Sequence, residues 1–374
     1  MNIKYKFVSF SDDLSPRQNS LYLFIKKKYN ISLYYSKKKK FISRFLDLLI
    51  KIIKYKLKKN HSSNFIIGNN SIFISLIIRF IFPRSYIITD IGYFANDIKE
   101  LNFARKVIYW LSDIISLFLS DLILFETFAQ RRRYSNNYFI GVFKRKFRVF
   151  YALNGEIKKF SSKLDKLVIK EFSYFNQSKI INILEDKYLL FRGKFNYESG
   201  VDLLAKIYTS LGESNLKKMP LIFLGNGPLM NNLVHNLNLV QKNKVILITD
   251  YLSISNLNLL IDNSSILFGQ FNNDSLRLKY TLPNKFFEAM INKKPYITPN
   301  YSSFQYLHKL GIVKIYNKEN ISTSNSSKEV RHLFLNFVEK ANLILNQNEE
   351  VVIIESNRDF LLDMQNLNDT NLEL

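Results

Sequence analysis

The residues best equipped for chemistry lie between Thr281 and Pro295, in Thr281-Leu282-Pro283-Asn284-Lys285-Phe286-Phe287-Glu288 and the Lys293-Lys294-Pro295 turn that follows. Thr281, Lys285 and Glu288 are spaced 4 and 3 apart, which predicts that they share one face of a helix. Pro283 suits the first turn of that helix, whose unpaired N–H groups attract an anion. Free amides and a cation would hold a diphosphate, and a carboxylate one turn on would accept two ribose hydroxyls. Together they describe a nucleotide-sugar pocket. Two upstream turns point the same way. Gly193-Lys194 offers a tight bend with a cation beside it, and Gly225-Asn226-Gly227-Pro228 offers a turn with little side chain to block a ligand.

Such residues have to be held at strand ends. Short apolar runs alternate with longer helical patterns along all 374 residues, the pattern of βα units on parallel sheets. The expected strands are 5–10, 31–35, 64–67, 85–89, 122–125 and 148–151, then 188–191, 221–224, 245–248, 266–268, 296–298 and 313–315. Two sets imply an α/β chain with two doubly wound, Rossmann-like domains, over 1–157 and 187–349, joined by a linker at 158–186. The tail 350–374 is expected to be helical and to pack back on the first domain. Ligands of such sheets sit outside the carboxyl ends of the strands. In the first half those ends carry Asp12, Asp13 and Arg17, then Asn69 and Asn70, then Asp90.

Composition narrows the partners. Zero Cys and four scattered His argue against disulfide scaffolds, thiol catalysis and the usual zinc sites, and fit a reducing compartment. Residues 1–10 read as a first strand rather than an export leader, and no apolar run is long enough to span a bilayer. The formal charge of +23 is concentrated in residues 1–180, which hold +22 of it. Its densest part is Lys37-Lys38-Lys39-Lys40 followed by a helical pattern with Arg44, Asp47, Lys51, Lys54 and Lys58 on one stripe. Ile42, Phe45, Leu46, Leu49, Ile50, Ile53 and Leu57 make the rest of that helix broadly apolar. A wide apolar face with a lysine rim suits an anionic membrane surface, and it would equally suit packing on a sheet. No DNA-reading module or aromatic RNA platform is evident, so nucleic acid is not expected as a partner.

Lys285, Glu288 and Pro295, with Gly193, Lys194 and Gly200 upstream and Gly225-Asn226-Gly227-Pro228 between, resemble the donor half of GT-B glycosyltransferases, most closely glycosyltransferase family 4. The likeness runs over about 187–300 and is only architectural over 1–155. It implies two Rossmann-like domains facing a central cleft, and transfer of a sugar from a nucleoside diphosphate to a glycan or lipid-linked acceptor without a metal or other cofactor. By the same resemblance the turn at Gly193 holds the diphosphate, Lys194 stands at the usual Arg position, and Glu288 is the ribose-binding glutamate. Ser199 stands where a second phosphate-binding Lys is usual, and Tyr280 where the first of two paired glutamates is usual. The amino-terminal half would bind the acceptor at the cytoplasmic membrane face, with Asp90 as the first choice for an acceptor base if the enzyme inverts. The rival expectations are a nucleotide-sugar epimerase on the same double sheet and a noncatalytic partner subunit.

Overall fold

In the computed structural model the described residues are 4–9, 14–38, 40–58, 64–68, 72–91, 103–152, 187–211, 219–238, 245–249, 252, 254–272, 276–345, 350–357 and 359–372. Asp12, Asp13, Lys39, Asn69, Asn70, the side chain of Lys58 and the expected linker 158–186 lie outside them. Two compact units result: Met1–Glu156 with Met364–Leu374, and Ile157–Asp363.

The first unit is built on six parallel strands, β1 (Lys4–Val8), β2 (Asn30–Tyr34), β3 (Asn64–Ile67), β4 (Ile87–Asp90), β5 (Leu122–Phe125) and β6 (Phe147–Val149), in the order β2-β1-β3-β4-β5-β6. The order reverses between β1 and β3, so the connections leaving those strands diverge and open a crevice at their carboxyl ends. β4 and β5 are buried along their whole length, which explains why Ile87-Ile88 and Leu122-Ile123-Leu124-Phe125 are apolar at successive positions rather than alternating. The helix Pro16–Lys28 after β1 starts at a capping box: Ser15 accepts from Gln18 N and the Gln18 side chain accepts from Ser15 N. That cap fixes Arg17 in the first turn.

The second unit has seven strands: β7 (Tyr188–Arg192), β8 (Leu221–Leu224), β9 (Val245–Ile248), β10 (Ser264–Phe268), β11 (Tyr296–Pro299), β12 (Val313–Tyr316) and β13 (Val351–Ser356), in the order β12-β13-β11-β10-β7-β8-β9. β7 to β11 run parallel and β13 lies antiparallel between β11 and β12. The reversal here falls between β7 and β10. Their facing residues, such as Phe191 and Phe268, sit in an aromatic core with Phe271 and Phe337.

The tail corrects one expectation. Residues 351–356 form strand β13, where a helix over 350–374 was expected, and the helix begins only at Phe360 and runs to Asn371. Val351-Val352-Ile353-Ile354 is a fully buried β-branched run, the composition that prefers a pleated strand between two partners. Further along, Asn368 bonds both backbone groups of Tyr151 at 2.9 Å, and Leu372 enters the core of the first unit.

Candidate active site

At the end of β7 the chain turns through Gly193, whose backbone takes a φ of +145°. A Cβ there would lie 3.3 Å from Lys285 Nζ, and a Cβ on Gly225, at the end of β8, would overlap the Gly193 carbonyl oxygen. The two glycine turns therefore press together with no room for a side chain. Gly193 N donates to Leu224 O at 2.9 Å and Phe195 N to Asn226 O at 3.0 Å, while the Asn226 side chain accepts from Gly227 N at 2.7 Å. Lys194 projects to solvent. Ser199 is buried with its hydroxyl donated to Asn196 O at 2.6 Å.

The helix expected after Pro283 spans Asn284–Ile291, with Pro283 as an extended N-cap and no side chain capping its first amides. Thr281 lies outside it, so the three-residue face reduces to Lys285 and Glu288. The cause is Pro283, which forces Leu282 away from helical geometry. The helix is no surface element: Lys285, Phe286, Phe287, Glu288, Ala289 and Met290 are all buried, as are Thr281 and Leu282.

Lys285 is the feature that needs explaining. It is 7 % exposed, its Nζ has no hydrogen-bond partner among the described residues, and it lies 4.0 Å from the centroid of the Phe191 ring. Burial, reinforced by the neighbouring Arg192 guanidinium, pushes its pKa down to about 7 from 10.5, and Glu288 pulls partly the other way. Glu288 is held by Arg192, the last residue of β7. Arg192 Nε donates to Glu288 Oε2 at 2.5 Å, and Arg192 Nη2 donates to Glu288 Oε1. Two cations and one carboxylate thus sit together, leaving a positive excess whenever Lys285 is protonated. Arg192 was missed in the sequence because it precedes the Gly193 turn and its partner lies 96 residues away.

No family model matches this chain, and no curated protein matches it in sequence. Solved structures do resemble it. HepE from Anabaena, solved with UDP and glucose, aligns with a TM-score of 0.51 at 10% identity over 100% of both chains. The N-terminal domain of trehalose-6-phosphate phosphatase from Candida albicans aligns with a TM-score of 0.50 at 13% identity, covering 93% of this chain and 95% of that one. WaaG, a glycosyltransferase involved in lipopolysaccharide biosynthesis, aligns with a TM-score of 0.48 at 12% identity, over 99% and 100%. The fold is GT-B.

In the first GT-B unit, Asp90 closes β4 and is ion-paired. Arg17 Nη2 approaches Asp90 Oδ1 at 2.6 Å, Arg17 Nε lies 3.0 and 3.1 Å from the two carboxylate oxygens, and Arg17 Nη1 donates to Phe150 O at 2.7 Å. The two expected residues are thus brought together, but the Asp90 side chain is 1% exposed and both its oxygens are taken. Its burial leaves no path for an acceptor hydroxyl to the carboxylate. Among the described residues no group of three His, Asp or Glu could hold a metal ion.

Proposed function

We propose that this chain is a glycosyltransferase, similar to family 4, that moves a sugar from a nucleoside diphosphate to a glycan or lipid-linked acceptor. The observation that carries this reading is Lys285, a buried ammonium with no hydrogen-bond partner among the described residues, set under a glycine turn at the point where the second sheet reverses its strand order. A buried cation of this kind is costly unless an anion completes it. The diphosphate would lie on Lys285 and the uncapped amides after Pro283, with Lys194 at the rim, and the ribose on Glu288. The bond from the anomeric carbon to the diphosphate breaks as one from an acceptor oxygen forms. The developing negative charge falls on the diphosphate, beside these cations. Asp90 serves in this reading as an anchor for Arg17 and Phe150 rather than as the base. The test is nucleotide release by the purified chain from a panel of nucleotide sugars, with and without glycan acceptors. Turnover with a defined donor supports the proposal; binding without turnover, or epimerised donor as the product, overturns transfer.

We also propose that the first unit docks on the cytoplasmic face of an anionic membrane. Among the described residues no helix is long and apolar enough to cross one. The helix Phe41–Lys58 buries only part of its apolar face: Leu48 and Ile52 enter the core, while Ile42, Leu46, Ile50, Ile53 and Leu57 stay exposed. Phe80 of the helix Ile72–Ile81, 89% exposed, and Phe103, Ile108 and Trp110 of the helix Phe103–Leu119 add to the apolar surface. Lys37, Lys38, Lys40 and Lys54 are exposed cations, and Lys51 is tied to Asp47 and Tyr35 O. Changing Lys38 and Lys40 together to Gln should weaken partition onto anionic vesicles by about 30-fold, at ~1 kcal/mol per lysine. Flotation that is unchanged refutes the docking.

A further inference from the structure

We propose that the groove between the helices Phe41–Lys58 and Ile72–Ile81 takes one acyl chain of an anionic membrane phospholipid, with Lys56 on its phosphate. The inference rests on the membrane docking proposed above and names the lipid contact within it. Both helices follow parallel strands of the first sheet, so they lie side by side, run the same way and end near the amino edge of the sheet. Leu49, Ile53 and Leu57 form one wall and Leu76, Ile77 and Phe80 the other, and the space between them is about 630 Å³ with no polar surface. That volume falls within the ~300–1,000 Å³ of ordinary ligand clefts. Water inside would find no hydrogen-bond partners, and a flat bilayer laid across the two helices would leave the hollow unfilled. A single flexible hydrocarbon chain fills it.

Charge selects the headgroup. Among the described residues lining the groove, Lys56 alone is charged. Its Nζ donates to Ile81 O at 3.1 Å and lies 4.9 Å from the centroid of the Phe82 ring, so the ammonium is held at the end of the groove with two of its three protons left for a phosphate. Lys54 is exposed on the same helix, and Arg84 is exposed just past the other. Asp47, the sole acidic residue in the sequence of the two helices, is paired with Lys51. The lysine end of the groove lies at the amino edge of the sheet, whereas Asp90 and Arg17 lie at the carboxyl ends of the strands. A lipid held there anchors the unit and is no substrate.

The experiment is titration calorimetry of the full chain with dioctanoyl phosphatidylglycerol and dioctanoyl phosphatidylcholine, both kept below their micelle concentrations, beside flotation with vesicles of long-chain phosphatidylglycerol. The parent should bind one lipid per chain and favour the net-negative glycerol headgroup about fivefold, the contribution of one lysine. Lys56→Gln should erase that preference and leave the choline lipid bound as before; a preference that survives overturns the role of Lys56. Ile53→Trp, which puts an indole into the groove from a position 41% exposed, should weaken both lipids tenfold or more. A helix that merely lies on the membrane would instead gain from an interfacial Trp. Binding that survives Ile53→Trp overturns the groove, as does octanoate binding as tightly as the phospholipids, which would make it a fatty-acid site. A dimer of the chain that dissociates on Ile53→Trp would seat a second copy there and also overturns it. A parent that floats with vesicles yet binds no monomeric lipid overturns the groove and leaves the docking standing, and a parent that does neither overturns both. Should Ile53→Trp fail to fold, Leu76→Trp, at a half-exposed position on the facing helix, carries the test.

Discussion

Lys285→Met is expected to raise the stability of the second unit and to cost about 100-fold in affinity for a nucleotide sugar. The two effects share one cause. In the free protein the ammonium is buried and has no hydrogen-bond partner, and the Phe191 ring and the Glu288 charge offset only part of its desolvation. Met has a similar unbranched shape and can keep its sulfur against the same ring, and removing a buried charge of this kind is worth ~1–4 kcal/mol. The pH dependence follows with opposite signs for folding and binding. With the folded pKa at about 7 and the ordinary value at 10.5, the unfolded chain holds the extra proton between those limits. Stability from this group therefore climbs as pH rises from 7 toward 10. Binding needs the proton, so affinity for an intact nucleotide sugar falls as pH rises above 7. Thermal melting and calorimetry across pH 6–9 test both slopes, and Lys285→Met should flatten them. A variant that melts lower, or binds as the parent does, defeats the assignment.

Much of this architecture is legible in the chain because parallel strands covered on both faces are short apolar runs, and each of the twelve expected segments overlaps a strand, with bounds that differ by one or two residues in most. The thirteenth, Val351–Ser356, was hidden by the same property. Four consecutive apolar residues do not distinguish a buried strand from a buried helix, and its antiparallel partners are distant in sequence. The donor-side turns were readable because glycine and proline act locally. Pairings were not: Arg192 with Glu288 and Arg17 with Asp90 span 96 and 73 residues, and no spacing rule connects them. The helix Phe41–Lys58 shows a third limit. Periodicity reveals a wide apolar face, but the choice of Leu48 and Ile52 for the core, leaving Leu57 81% exposed, depends on how the helix crosses the sheet.

Asp90→Asn should destabilise the first unit by ~3–5 kcal/mol, because it strands the Arg17 guanidinium, only 12% exposed, without its counter-charge. The substitution preserves shape, so the loss measures the charge pair and not a cavity. Arg17 would keep its bond to Phe150 O, which cannot neutralise it. If the cost arises from an unpaired cation, adding Arg17→Met to Asp90→Asn should return much of the stability, giving a coupling of ~2–3 kcal/mol in the cycle of single and double variants. A catalytic base would behave otherwise: Asp90→Asn would melt as the parent does and lose turnover, and Arg17→Met would rescue nothing. Melting the four proteins and assaying each below its transition separates the two roles. The carboxylate's two oxygens, both occupied by one guanidinium beneath the surface, favour the structural outcome, in which Arg17 and Asp90 together tie the first turn after β1 to the ends of β4 and β6.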